Sequence, residues 1–419
     1  CERDAPRGAH QELDAQVRFE AVQTTSHDGG CHAFGNGSRS QAALLGHRHE
    51  GLEDFEFVHA LDYPRGASER PTPRIGRMNA TTPNIRTPWA HHAIARLAHL
   101  SPAWFVLVMG WCGLAQAWLR ATDVLGDMAL GMSLVSGAFA LLIFAILCVA
   151  CLVRLNTHNP AVQADLKHPV RHAFMATLPI SLMLLSTLAA GLFWNVHPWL
   201  DQLLRTTWLL GSLLELAATV WVLGRWLRAK EQGGLQWATF TPVLFIPVVG
   251  NVLAPLGGVT MGFAPWATAQ FGIGLLLWPV LQTLLIVRLV QAGPLPERMS
   301  PALFITVVPP SIIGLDMLQL NAPMPVVWAL WGIGLFFLMW AMTQLDTIRS
   351  QPFGMGHWGM SFPLAAFTTL TLRLSSAPEG TWLQLPATAL LAITFLVILG
   401  LTLGTWRGLR AGTLLVAEG

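Results

Sequence analysis

From Pro102 onward, long apolar runs alternate with short polar breaks. A run of about 18 or more apolar residues is long enough to cross a bilayer as a helix. Ten such stretches are read: 102–120, 127–153, 170–193, 199–223, 240–258, 264–290, 301–320, 323–345, 358–376 and 381–405. Residues 1–77 differ, with neither helical nor strand period and with turn signals at Asp28-Gly29-Gly30, Gly35-Asn36-Gly37-Ser38 and Pro71-Thr72-Pro73. The pattern predicts a polar, disordered N-terminal stretch over 1–90, a transmembrane domain over 91–410 and a short tail over 411–419. The first methionine is Met78, and a polar lead follows it. The natural start is expected near Met78, with residues 1–77 a flexible extension or a translation artefact; the alternative is a genuine disordered cytoplasmic tail. With no apolar core, the first residues do not read as a signal peptide.

Composition sharpens this division. Charged residues make up 11% of the 419, against roughly 25% in a soluble domain. Residues 1–90 hold 10 of the 25 basic and 12 of the 23 acidic residues, so the body carries even less charge than the average suggests. A net charge of +2 without dense basic clusters argues against a nucleic-acid partner. Cys1, Cys31, Cys112, Cys148 and Cys151 read as small hydrophobes or incidental residues.

Charge asymmetry gives orientation. With ten spans, Arg96, Arg154, Lys167, Arg171, Arg225, Arg228, Lys230, Arg288, Arg298, Arg349, Arg407 and Arg410 fall on one side and only Arg120, Arg205 and Arg373 on the other. The expected topology is multi-pass in the inner (plasma) membrane, with both termini cytoplasmic.

The odd-numbered segments share a feature that largely sets them apart from the even ones, which are smooth Leu/Ala/Val helices apart from Pro279 and prolines near their ends. Ser101-Pro102 opens the first, and Pro179 lies inside the third. Thr241-Pro242 and Pro247 mark the fifth, Ser300-Pro301 and Pro309-Pro310 the seventh, and Ser361-Phe362-Pro363 the ninth. Proline inside a helix frees a carbonyl and bends the chain, and in lipid that carbonyl needs protein or a wet cavity. Bent odd helices therefore belong inside. The predicted fold is all-α: ten transmembrane helices as five hairpins in a pseudo-fivefold ring, the kinked odd helices lining a central pore.

Ionisable groups at membrane depth are costly and are candidates for function. Glu215 lies in the fourth segment and is expected to bond to a neighbouring helix or a subunit partner. Asp316 lies past the Pro309-Pro310 kink and is expected at a pore mouth or paired. Either could couple a proton. The remaining polar surface of the pore is expected from Thr306, Ser311, Thr368, Thr369, Asn251 and the kink carbonyls. His168 and His172 have a spacing that can hold metal or haem on a helix, but Pro169 intervenes and a loop or interfacial place is expected, as for His91, His92 and His99. No GxSxG, HExxH or P-loop is present, and no cofactor is called for.

Several motifs in order, over about residues 100–405, resemble the tellurite-resistance/dicarboxylate transporter family, which includes slow-type plant anion channels, fungal malate transporters and sulfite exporters. They are His168-Pro169-Val170-Arg171 with Phe174 and Leu178-Pro179-Ile180-Ser181; Pro247-Val248-Val249-Gly250-Asn251 with Ala254-Pro255; Phe271-Gly272-Ile273-Gly274 with Leu277-Trp278; Pro309-Pro310-Ser311; and Trp358-Gly359-Met360-Ser361-Phe362-Pro363-Leu364. The resemblance implies a homotrimer with one pore per subunit, and a pore gate at Phe362. An aromatic ring beside a kink can plug a narrow apolar pore and swing aside by rotamer change. The expected function is an anion channel or anion efflux transporter for monovalent anions, sulfite, C4-dicarboxylate or tellurite-related anions, and not an enzyme. A proton-coupled dicarboxylate or sulfite carrier is the alternative, and a membrane haem or redox protein a remote one.

Overall fold

The computed structural model describes residues 95–229, 234 and 236–416. The expectations for residues 1–90, and for Met78, His91, His92 and Lys230, lie outside them. Every described element is helical. The principal helices are α1 (Val106–Arg120), α2 (Asp127–Thr157), α3 (Thr177–Phe193), α4 (Pro198–Gly224), α5 (in two pieces, Ile246–Val252 and Ala254–Gly258), α6 (Ala264–Ala292), α7 (Val308–Gln319), α8 (Met324–Met342), α9 (Ser361–Ser375) and α10 (Gln384–Ala411).

Eight of these, counted with the 3₁₀ turns that lead into some of them, are long and apolar enough to cross a membrane. The other two are α5 and α9. The chain around α5 is apolar but short, Pro242–Gly258. Helix α9 carries Ser361, Thr368, Thr369, Thr371, Arg373 and Ser375, yet all of it except Arg373 is buried. A helix walled in by protein faces no lipid, so its own hydropathy is free to fall.

The prolines read as lying inside helices sit at the helix starts instead. Each odd helix is entered through a 3₁₀ stretch: Pro102–Phe105, Arg171–Ala176, Pro242–Phe245, Glu297–Val307 and Met355–Met360. Pro179, Pro247, Pro309, Pro310 and Pro363 then fall in the first turn of the α-helix that follows. First-turn N–H groups have no partner within the α-helix, so proline sacrifices little there. The bend is thus a change of helix type at the entry, not a kink in mid-helix. Helix α10 is also entered through 3₁₀ residues, Pro378–Leu383.

Hydroxyls close the carbonyls at these junctions. Thr177 Oγ1 lies within hydrogen-bond reach of the carbonyls of Phe174 (2.6 Å) and Pro102 (2.8 Å), between which its one hydrogen is shared. Thr306 donates to Leu303, Ser311 to Val307 and Ser361 to Trp358, each at 2.7 Å.

Odd and even helices pack as hairpins: α1 with α2, α3 with α4, α5 with α6, α7 with α8 and α9 with α10. Odd helices also meet one another: α1 meets α3, α3 meets α5, α5 meets α7, α7 meets α9, and α9 meets α1. Their 3₁₀ leads likewise touch in chain order from the first to the ninth segment. Burial follows this division. In the Glu297–Gln319 segment 89% of the best apolar window is buried, and in α2 only 17%. Helix α2 exposes Leu141, Leu142, Ile146, Val149 and Leu152; α10 exposes Leu396 and Leu403. Aliphatic faces of this extent suit acyl chains. Indole N–H groups tie the layers together: Trp358 donates to Thr405 (2.8 Å) and Trp111 to Thr402 (3.2 Å), both on α10.

Candidate functional site

Phe362 is the second residue of α9, directly after the 3₁₀ turn Met355–Met360 and just before Pro363. Its side chain is buried. Opposite it on α1 is Gly113. A methyl group added there would lie 3.0 Å from the Phe362 ring and 2.9 Å from the Ala365 side chain. One turn earlier, Gly110 leaves room for Ser361 and Trp358. The two glycines let α1 and α9 approach closely, and the Phe362 ring covers the surface of Gly113. An aromatic side chain has few rotatable bonds, so this contact confines it.

The buried carboxylates take up positions that the sequence reading missed. Asp316 is fully buried near the end of α7, with neither carboxylate oxygen hydrogen-bonded among the described residues. It is neither at a mouth nor paired, because α7 continues past it to Gln319 and is covered by α8, α9 and α5. Glu215 lies on the even helix α4 but turns inward, and its carboxyl occupies the space that a side chain at Gly250 of α5 would need. It too is fully buried, with no hydrogen bond to either oxygen among the described residues. Glu215 thus packs against α5 of its own chain, in contact but without the hydrogen bond expected of it. Burying an unpaired acid is costly, and both residues stand out for that reason.

The hydroxyl and amide groups expected in a pore are engaged locally. Asn251 Nδ2 donates to Thr219 Oγ1 of α4 and to the Pro247 carbonyl, both at 2.7 Å. Thr219 Oγ1 also contacts the Pro247 carbonyl, at 2.9 Å. Thr368 donates to the Leu364 carbonyl at 2.7 Å and meets Thr394 of α10 at 2.8 Å. Thr369 donates to Ala365 at 2.7 Å. Thr368 therefore joins α9 to its hairpin partner α10, and Asn251 joins α5 to α4 of the preceding hairpin, where the sequence reading had put both on a pore surface. Once a side chain has backbone carbonyls and a neighbouring helix within reach, polarity alone does not tell which way it points.

Before the start of α3 lies a charged network that was not foreseen. Asp165 receives Arg154 at 2.7 Å and Arg171 at 3.2 Å, and Arg154 also donates to the Ala98 carbonyl at 3.1 Å. It locks the start of the third segment to the end of α2. His168 Nδ1 accepts the backbone N–H groups of Val170 and Arg171, both at 3.1 Å, so it caps this turn. His172 Nδ1 lies 2.9 Å from the His168 carbonyl. The two histidines thus order a helix start instead of facing a common ligand. Among the described residues, no group of three or more His, Cys, Asp or Glu is placed to hold a metal ion. Cys112, Cys148 and Cys151 are free thiols.

Residues 99–406 match the family described as voltage-dependent anion channel, SLAC1. The chain belongs to the SLAC1 family. Relatives include the S-type anion channel SLAH2 of Arabidopsis thaliana, 25% identical over 69% of this chain and 53% of the relative. An uncharacterized transporter of Methanocaldococcus jannaschii is 26% identical over 64% of this chain and 81% of its own. A tellurite resistance protein TehA homolog of Haemophilus influenzae is 27% identical over 70% of this chain and 82% of its own. The chain spans about half the length of the plant channel and about four fifths of the two prokaryotic proteins. SLAC1 proteins are anion channels and transporters, not enzymes, and this SLAC1 chain is a multi-pass membrane protein.

Proposed function

We propose that the chain is an anion channel or anion efflux transporter whose closed pore is plugged by Phe362. In this reading all ten helices span the membrane and the five odd ones form a pseudo-fivefold ring, in keeping with the contacts that run from α1 through α3, α5, α7 and α9 back to α1. The expected assembly is a homotrimer in the inner membrane, with both termini cytoplasmic. The observation that carries the proposal is the seating of the Phe362 ring on Gly113 where α1 and α9 meet. Family membership and the printed names of the relatives support anions as the cargo.

A pore with few charges binds anions weakly and lets them leave, which conduction requires. Its test is flux of chloride, nitrate, sulfite, malate and tellurite in proteoliposomes with and without Phe362→Ala. Unplugging should raise flux by about tenfold or more, equivalent to ~1.4 kcal/mol off the permeation barrier. Absence of anion flux from both forms would sink the reading.

One observation favours a second reading, a proton-coupled dicarboxylate or sulfite carrier. Asp316 and Glu215 are fully buried acids whose carboxylate oxygens find no hydrogen bond among the described residues. Flux driven by a proton gradient and lost in Asp316→Asn would select it over a passive pore.

A further inference from the structure

Two of the arginines that the charge asymmetry set apart, Arg120 and Arg373, end up together. Arg120 closes α1, and Arg373 lies in the last turn of α9. The helical period says which way each faces. Arg120 is seven residues beyond Gly113, two turns on and within about 20° of the same face. Gly113 is the residue that meets Phe362 and Ala365 of α9. Arg373 is eleven residues beyond Phe362, three turns on, within about 20° of the same face and about 16 Å farther along the axis. The two basic groups therefore continue the facing stripes of α1 and α9 on which Phe362 sits.

These are not scattered surface charges. Every residue of α9 except Arg373 is buried, and the helix is enclosed by α1, α7, α8 and α10. A helix walled in this way meets no acyl chains, so Arg373 opens to water at the end of the bundle. Arg120 is exposed at the same end. The two guanidiniums repel one another, and the pull of Asp123 on Arg120 is weaker than that repulsion. The other acids towards this end are Asp127 and Asp201 at the starts of α2 and α4, Glu379 before α10, and the enclosed Asp316. The ion pairs among the described residues are those of Asp165 with Arg154 and Arg171, so no carboxylate is in contact with Arg120 or Arg373. Two like charges held side by side without a counter-charge in contact favour an anion between them.

We infer that Arg120 and Arg373 form an anion-collecting site at the end of the pore beyond Phe362, which draws small inorganic anions to that mouth. The inference rests on the channel reading above and adds to it the residues that load one end.

The test has a readout that needs no flux. In the purified full chain in detergent, Arg373→Cys puts a thiol at the site. Its modification by an anionic and by a cationic methanethiosulfonate is timed by mass spectrometry, against the chain without that substitution. The ratio of the two rates cancels the reactivity of the thiol itself. Adding Arg120→Gln should lower the anionic-to-cationic ratio about fivefold at low salt. Each rate then shifts about two- to threefold in opposite directions, the Boltzmann weight of one unit charge in water at a separation on the order of 7–10 Å. The loss should fade near 1 M salt, where the Debye length is about 3 Å. Adding Arg205→Gln instead, an arginine on neither stripe, should move the ratio far less.

The second readout is chloride current through Phe362→Ala in planar bilayers at about 10 mM salt, where screening is weak. Adding Arg373→Gln should reduce current entering from that end about two- to threefold. Adding Arg373→Lys, which keeps the charge, should preserve it. A labelling ratio indifferent to Arg120→Gln, or a Phe362→Ala current indifferent to Arg373→Gln, would overturn the proposal. If Phe362→Ala carries no anion at all, the channel reading falls, and the labelling ratio alone decides whether this pair collects anions.

Discussion

The odd and even helices are built from the same apolar alphabet and solve different problems. Even helices such as α2 are long, uniform and largely exposed, because acyl chains ask only for hydrophobic surface. Odd helices such as α7 and α9 are short α-helices behind 3₁₀ leads, almost wholly buried, with prolines and hydroxyls at the junctions. Shape, not hydropathy, is what an inner helix must supply, and α9 makes the point by being the most buried and among the least lipophilic of the principal helices.

Substitutions can break that contrast in graded steps, each read by thermal unfolding in one detergent. The largest effect is expected at Trp358, fully buried and bonded to Thr405: Trp358→Ala should cost about 3–5 kcal/mol. Next is Gly250→Val, which drives a side chain into the Glu215 carboxyl and should cost about 1–3 kcal/mol; an accompanying Glu215→Ala should recover part of it. Gly113→Ala should cost about 1 kcal/mol while pressing on the Phe362 ring. It should also raise anion flux, by less than Phe362→Ala does. Smallest is Leu142→Ala on the outer face of α2, within about 0.5 kcal/mol of wild type. A Leu142 effect as large as that at Trp358 would erase the inner–outer distinction.

Much of this was legible in the primary structure, for physical reasons. Apolar run length places the helices to within a few residues, and the prolines single out the odd set, since a bilayer tolerates irregular backbone only behind protein. What stayed hidden depends on neighbours. Asp316 looked like a mouth residue because it lies near a segment end, but its covering comes from α5 and α9, distant in sequence, as well as from the adjoining α8. Asn251 and Thr368 looked like pore surface, and their partners Thr219 and Thr394 lie on even helices. Prolines signalled a bend but not its kind. The pairing of Gly113 with Phe362 joins residues far apart in the sequence, and nothing local marks it.

The 3₁₀ leads have a consequence for length. Such a helix advances about 2.0 Å per residue, against 1.5 Å in the α form. The 11 residues of Glu297–Val307 therefore reach about 22 Å, where an α-helix would reach about 16 Å. A strand of chain wound this tightly crosses more distance on fewer residues, which lets the buried segments stay short beside their longer partners. Rewinding even part of that lead into α form would draw α7 along its axis and turn its side chains about it, so the same residues that provide reach also hold a store of travel.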